Sequence, residues 1–180
     1  CNVVFEGAAA FFRKRDAFRC DCNGQRGDSL VPKCILTHKF TGVSREGFMD
    51  IALNEQSMLR IGTEAAYVSF PGFSAPGMRF GYSTRLLGVS TGIYASMNLG
   101  LSRGDAEELV QENYRRICEA IGLAKDRLVL SKQTHLCNVR KVTAEDAGNG
   151  ITRENGFSDI DALMTDVPGL PLAIFTADCV

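Results

Sequence analysis

Two residues suited to metal or nucleophilic chemistry, a histidine and a cysteine, each follow an apolar segment that is predicted to form a β-strand. His135 ends the stretch RLVLSKQTH, and Cys179 ends LPLAIFTADC. Strand ends present functional side chains from a rigid scaffold, and an imidazole with a thiolate suits Zn²⁺. The alternatives are a buried cysteine and a hydrogen-bonded histidine without a metal, or a hydrolase in which His135 activates Cys179 as nucleophile.

A second group of candidate zinc ligands lies near the start of the chain. Cys20, Cys22, Cys34 and His38 fall beside the basic run Arg13–Arg15. They predict either a small zinc module in an interaction protein or a chance grouping in a cysteine-rich segment. The single residue between Cys20 and Cys22 is unfavourable for a zinc knuckle, whose first pair is usually separated by about two to four residues.

Phosphate binding has one candidate residue but no fingerprint. Neither the Gly-x-x-x-x-Gly-Lys nor the Gly-x-Gly-x-x-Gly pattern occurs. Arg85 precedes a turn that contains Gly88 and Gly92, and a guanidinium binds phosphate through two hydrogen bonds. The alternative is an arginine on the surface of a turn.

Composition indicates a folded protein that acts on small molecules. The chain has 180 residues, 45% of them hydrophobic, and a formal net charge of −1, which disfavours a nucleic-acid partner. Its apolar stretches are far shorter than the ~20 residues of a membrane-spanning helix, so no membrane partner is expected. Seven cysteines, an odd number, favour reduced thiols in a cytoplasmic protein over a disulfide framework.

The clearest predicted element is an amphipathic helix in the stretch DAEELVQENYRRICEAIGL, residues 105–123. Asp105 is the predicted N-cap, with Glu108 three residues further on, and Gly122 is the predicted stop. The predicted apolar face consists of Val110, Tyr114, Ile117 and Ile121. Strands are predicted in AAYVSFPGF, MRFGYSTR, RLVL, NVRKVT, DALMT and LPLAIFTADC. Strands mixed with a helix predict an α/β or α+β sandwich, with mixed β-sheets flanked by helices.

The charge pattern divides the chain at residue 48. Residues 1–48 carry eight basic and five acidic side chains, whereas residues 49–180 carry twelve and sixteen. The first segment shows neither a helical nor a strand period for long. We therefore predict an N-terminal segment of unassigned role at 1–48, either disordered or foreign to the rest, and a single domain at 49–180.

Five blocks, taken in order, closely resemble the laccase-domain family, whose members have been described as multicopper polyphenol oxidases and as purine nucleoside phosphorylases. They are FGYSTRLLGVSTGIYASMNLG, VQENYRRICEAIGL, LSKQTH, DALMT and LAIFTADC. The resemblance spans about residues 58–180. It implies a compact α/β sandwich with one zinc ion held by two histidines and a cysteine, of which His135 and Cys179 match the first histidine and the cysteine.

The resemblance also implies an activity and its substrates. Family members are described as cleaving adenosine, inosine, guanosine or methylthioadenosine with phosphate, and as deaminating adenosine, so the expected partners are a purine nucleoside and phosphate. With two histidines in the chain, a multicopper oxidase built largely from imidazoles is disfavoured. The expected oligomeric state stays open.

Roles for individual residues follow from their positions in these blocks. Asp178, Arg85 and Gln133 are the catalytic candidates, and Arg85, Asn98 and Asp161 are the candidates for binding phosphate, ribose or base. For Asp178, beside the thiolate, the two expectations are proton transfer during deamination and bracing of its turn by hydrogen bonds to backbone amides.

The chain departs from the family pattern at several positions. Leu136 stands where glycine usually follows the histidine, Leu87-Gly88 replaces a double glycine, and Phe80 replaces a frequent histidine. The family continues past the cysteine into a His-Ala-Gly-Trp-Arg-Gly block that supplies the second histidine, while this sequence stops at Val180. We therefore expect an incomplete domain with little or no catalysis by these residues alone.

Overall fold

The structure is a computed structural model that describes residues 2–6, 40–43, 47–72 and 77–176. The sequence-predicted residues Asp178 and Cys179, and the group Cys20, Cys22, Cys34 and His38, lie outside the described residues. The described elements are β1 (Asn2–Glu6), β2 (Phe40–Val43), β3 (Met49–Ala52), β4 (Met58–Ile61), β5 (Ala66–Ser69), β6 (Arg79–Ser83), α1 (Glu107–Ile121), β7 (Val129–Leu130), β8 (Val139–Lys141), β9 (Ala162–Met164) and β10 (Leu172–Phe175).

Eight of the strands form one sheet in the order β2-β3-β4-β5-β6-β1-β10-β7, and β8 and β9 form a second, parallel pair. Neighbours from β2 to β6 are antiparallel, and β1 is antiparallel to both β6 and β10. The last pair, β10 and β7, is parallel. The prediction of mixed sheets combined with a helix is therefore confirmed.

Two strands that precede residue 48 pair with strands that follow it. β1 lies between β6 and β10, and β2 pairs with β3 at the far edge of the sheet. Most of residues 1–48 lie outside the described part of the chain. The division into segments 1–48 and 49–180 stays a prediction.

The predicted helix is confirmed as α1, and its apolar face packs on the sheet. Val110, Tyr114, Ile117 and Ile121 are buried as the period of the sequence predicts. At Gly81 in β6, an added Cβ would lie 2.5 Å from the Ile121 Cδ1 atom, so the close approach of helix to strand requires glycine. The backbone reverses at Gly122, whose φ of 82° is left-handed.

The predicted N-cap is wrong by one residue. The helix begins after Ala106, which makes no side-chain capping bond. The Asp105 carboxylate instead accepts hydrogen bonds from Ser90 Oγ at 2.6 Å and from Asn98 Nδ2 at 2.9 Å. Its side chain thus serves the preceding loop rather than the helix terminus. Among the described residues, no helix is both long and apolar enough to cross a bilayer.

Glu112 on α1 provides a test of the helix electrostatics. Its carboxylate accepts hydrogen bonds from Arg115 Nη2 at 2.7 Å and Arg116 Nε at 2.8 Å, which lower its pKa to about 2. A depressed carboxylate pKa stabilises the fold above the ordinary pKa, and this contribution is lost as pH falls toward the folded-state value.

We therefore expect Glu112→Gln to lower the free energy of unfolding by about 0.5–1 kcal/mol at neutral pH, since the pair is partly exposed. The difference from the unsubstituted protein should shrink as the pH falls from 4.5 to about 2. Urea denaturation followed across this range measures it. Glu154→Gln, an exposed residue outside the helix, is the control, and an equal effect of both substitutions would contradict the assignment.

Candidate active site

Three strands end together at one end of the large sheet, which we call the site end. Because β1 is antiparallel to β6 and β10, and β10 is parallel to β7, the strands β6, β10 and β7 run in the same direction. Val3 pairs with Tyr82 on one side and Ile174 on the other, which places β6 and β10 about 10 Å apart. Arg85, Cys179 and His135 each follow one of these strands in the sequence.

A side-chain contact joins two of these strand ends directly. The Tyr82 hydroxyl, on β6, lies 2.6 Å from Thr176 Oγ1, immediately after β10. Thr176 is three residues before Cys179. A side-chain hydrogen bond therefore links the strand before the Arg85 loop to Thr176, from which the chain continues to Cys179.

Gln133 joins the third strand end to β10. Its Nε2 donates to the Phe175 carbonyl at 2.9 Å, and its Oε1 accepts from the Phe175 N–H at 2.7 Å. The half-buried amide thus continues the β7–β10 pairing by two hydrogen bonds after β7 has ended. This arrangement holds the start of the His135 loop against the end of β10, while the predicted catalytic role of Gln133 stays a prediction.

His135 is exposed and lies in a tight turn with a left-handed φ of 64°. Asp161, half-buried just before β9, accepts the N–H groups of Thr134 and His135 on Oδ1 at 3.0 and 2.8 Å. Its Oδ2 accepts the N–H of Leu136 at 3.0 Å. One carboxylate therefore binds three consecutive backbone amides of the loop that presents the imidazole.

The zinc site that the resemblance implies lies only partly within the described residues. Among them, no group of three or more His, Cys, Asp or Glu side chains is close enough to hold a metal ion. Of the ligands implied by the resemblance, His135 is described and Cys179 is not. An imidazole is a side chain of the kind that zinc binds, and the role of His135 as a ligand stays a prediction.

Arg85 is exposed and uses its guanidinium to order its own loop. Nε donates to the Ala95 carbonyl at 2.9 Å, and Nη2 donates to the carbonyls of Ala95 at 2.5 Å and Ile93 at 3.2 Å. These bonds fasten the 3₁₀ turn Gly92–Tyr94 next to the strand end. The predicted phosphate-binding role of Arg85 remains a prediction.

Leu87 and Gly88 stand where the family pattern usually has two glycines, and the backbone differs between these two positions. Leu87 takes a left-handed φ of 65°, a conformation that glycine adopts more readily. At Gly88, an added Cβ would lie 2.0 Å from the Ser96 carbonyl oxygen, so a side chain cannot be accommodated there. The loop therefore retains the glycine at the position where the backbone contact requires it.

Asn98 is half-buried, and both the nitrogen and the oxygen of its side-chain amide are hydrogen-bonded. Its Nδ2 donates to Asp105 Oδ2 at 2.9 Å, and its Oδ1 accepts the Gly100 N–H at 3.0 Å. Hydrogen bonds from Asn98 and then Ser90 lower the pKa of the Asp105 carboxyl group. The Asp105 carboxylate thus orders the Asn98 loop as an anion.

Asn113 is a site-supporting residue that the sequence predictions missed. It is fully buried on α1, and its Oδ1 accepts the Val89 N–H at 2.8 Å. Its Nδ2 lies 2.9 Å from Ser90 Oγ, 3.2 Å from the Ser96 carbonyl and 2.9 Å from the Asn98 carbonyl. The available signal was an asparagine beside Tyr114 on the apolar face of a predicted helix.

Sequence-predicted residues therefore fall into two groups at the site end. Gln133, His135 and Asp161 form one group around β7, and Arg85 and Asn98 belong to the loop after β6. No hydrogen bond or ion pair between described residues joins the two groups directly.

Comparisons with known proteins assign this arrangement to a family. The sequence profile of the family described as multi-copper polyphenol oxidoreductase laccase matches residues 79–180. A Geobacillus stearothermophilus protein named purine nucleoside phosphorylase YlmD is 39% identical over 101 residues, covering 56% of this chain and 37% of the relative. A Deinococcus radiodurans protein named purine nucleoside phosphorylase is 41% identical over 98 residues, covering 54% and 34%.

A solved structure resembles the fold as well. The crystal structure of YlmD from Geobacillus stearothermophilus superposes with a TM-score of 0.50 at 30% identity, covering 63% of this chain and 42% of that one. The predicted laccase-domain-like fold is thereby confirmed. The chain matches little more than a third of the length of the two curated relatives above.

Proposed function

Since the chain belongs to the multi-copper polyphenol oxidoreductase laccase family, we propose that it supplies part of the active site of a purine nucleoside phosphorylase. The single observation that carries the proposal is the convergence of β6, β10 and β7 at the site end. These strands lead to Arg85, Cys179 and His135. The curated names of the relatives supply the reaction.

The proposed metal ligands are His135 and Cys179, with Zn²⁺ as the ion. The His135 loop is held against Phe175 by Gln133, and Cys179 follows Thr176 by three residues. Three residues span at most about 11 Å, which limits the distance between Cys179 and the strand end. When bound, zinc polarises oxygen ligands and lowers the pKa of a bound water.

In the proposed phosphorolysis, Arg85 binds the phosphate and Asn98 hydrogen-bonds to the ribose or base. A phosphate oxygen forms the bond to C1′ of the ribose as the bond between C1′ and the purine nitrogen breaks. The purine leaves with that electron pair and takes up a proton. The exposed Arg85 guanidinium, oriented by the carbonyls of Ile93 and Ala95, supplies positive charge for the anion.

Adenosine deamination is the second proposed activity. Water adds at C6 of the purine and ammonia leaves, so one proton must move from the water to the departing nitrogen. Asp178, which precedes Cys179 in the sequence, is the carboxylate proposed to carry that proton.

The test joins this chain to further sequence from a relative. This chain is joined to the unmatched sequence of the Geobacillus stearothermophilus protein, loaded with Zn²⁺, and given adenosine, inosine, guanosine or methylthioadenosine. We expect phosphate-dependent release of free base from at least one nucleoside, measured by chromatography, and its loss in Arg85→Ala. Inosine formed from adenosine without phosphate measures deamination separately.

Two controls make the outcome decisive. Arg153→Ala removes an exposed arginine that donates to the Glu145 carbonyl, on a different loop, and should leave the phosphate dependence unchanged. A folded, zinc-loaded chimera that releases base from none of the four nucleosides contradicts the phosphorylase proposal. Base release without inosine formation contradicts only the deaminase part.

A further inference from the structure

We propose that Asp161 is a positioning residue that sets the direction of the His135 side chain by binding three consecutive backbone amides. This inference rests on the proposed function, because that proposal makes His135 a metal ligand. The hydrogen bonds themselves are independent of any metal. They run from Thr134, His135 and Leu136 to the two oxygens of one carboxylate, over 2.8 to 3.0 Å.

The number of amides that converge on Asp161 explains why an acid is needed at this position. Three converging N–H groups require at least three acceptor lone pairs in one place, and an ionised carboxylate offers about four with no donor. Hydrogen bonds to a charged acceptor are also stronger than those between neutral groups. In Asp161→Asn, one oxygen can still accept two amides, but the NH₂ group would face the Leu136 N–H.

The bound amides fix the backbone of His135. This residue has a φ of 64°, a conformation that is disfavoured for L-residues. Anchored N–H groups on both sides of its Cα hold this conformation against the extended alternatives. Because the Cα–Cβ bond direction follows from the backbone, the anchored turn also determines the direction in which the imidazole leaves the loop.

Asp161 is itself held in place by the pairing of β8 and β9. Its own N–H donates to the Asn138 carbonyl at 3.1 Å, and β9 begins at the following residue. The parallel pairing of β8 and β9 starts with Val139 opposite Ala162. Asp161 thus lies at the start of a paired strand, and the backbone of the His135 turn is bound to this strand through its carboxylate.

The test measures metal binding and amide exchange on the full chain. Co²⁺ replaces Zn²⁺ as the probe because its visible absorption reports affinity and coordination geometry. We expect Asp161→Asn to weaken Co²⁺ binding about 10- to 100-fold and to alter the spectrum, as loss of a partner behind a ligand does. Asp159→Asn, an exposed residue two positions away, makes the same charge change and should stay within about 2-fold of the unsubstituted protein.

Hydrogen exchange followed by NMR provides the second readout. In the unsubstituted protein, the amides of Thr134, His135 and Leu136 should be protected although these residues are exposed, and protection should fall in Asp161→Asn. Unprotected amides in the unsubstituted protein overturn the inference, as does equal Co²⁺ affinity in Asp161→Asn and Asp159→Asn. If the unsubstituted chain binds no Co²⁺, the proposed zinc site fails, and amide exchange alone decides the role of Asp161.

Discussion

Replacing His135 with asparagine is expected to weaken Co²⁺ binding by the chain about 100-fold. The binding free energy of a structural zinc site, roughly 10–16 kcal/mol, is shared among about four ligands, so one ligand accounts for about 3 kcal/mol. Each 1.4 kcal/mol corresponds to about a tenfold change in affinity. Titration of the unsubstituted and substituted chains, followed by visible absorption, measures the ratio of the dissociation constants.

Asparagine is the informative replacement because it keeps the backbone. His135 has a left-handed φ of 64°, and asparagine tolerates that region better than most residues. Leu136→Ala, which changes the neighbouring exposed side chain but keeps its N–H bond to Asp161, is the matched control. Comparable Co²⁺ affinity of His135→Asn and the control would show that the imidazole is no ligand.

Local periodicity was sufficient to predict the main helix. The spacing of Val110, Tyr114, Ile117 and Ile121 identified the buried face, and Gly122 identified its end. The N-cap was mispredicted because Asp105 satisfies the local capping rule equally well. Its actual partners, Ser90 and Asn98, come from a loop whose path no short sequence window determines.

The candidate site was predictable in residue type but not in contacts. His135, Gln133 and Asp161 carry polar side chains and lie after predicted strands or within recognisable blocks. Asp161, however, binds backbone 25 to 27 residues away, and Gln133 binds backbone 42 residues away. The Gln133 contact depends on the parallel arrangement of β7 and β10, and the Asp161 contacts depend on that of β8 and β9. Hydrophobic patterns alone do not reveal either arrangement.

The same contacts explain how a polar site end is kept ordered. Polar side chains that follow β6 and β7 or precede β9 bind backbone groups of the loops and of the last residue of β10. Gln133 does so for Phe175, Arg85 for Ala95, and Asp161 for the His135 turn. Ordered loops reduce the entropy that is lost when a ligand binds, so these contacts prepare the surface for the proposed substrates.

Replacing Asn113 is the second substitution with a large expected effect. Asn113 lies on α1, and its side chain anchors the loop that contains Asn98. Asn113→Ala is expected to lower the free energy of unfolding by about 3 kcal/mol. The substitution leaves the Val89 N–H and the Asn98 carbonyl without their present partner, and the Ser96 carbonyl keeps the Ser90 N–H alone. Each buried group without a hydrogen bond costs about 1–3 kcal/mol, and water reaches the half-buried members in part. Urea denaturation of both proteins measures the difference.

The loop should respond beyond the loss of overall stability. Because Asn113 bonds to both ends of the segment Val89–Asn98, its removal should accelerate thermolysin cleavage within that segment under native conditions, where local opening controls the rate. Glu108→Ala, exposed on the same helix, should change the free energy of unfolding by no more than about 0.5 kcal/mol and leave cleavage unaffected. If Asn113→Ala behaved like this control, the four hydrogen bonds would contribute little, and the loop that carries Arg85 and Asn98 would have to be ordered by Asp105 and the Arg85 guanidinium instead.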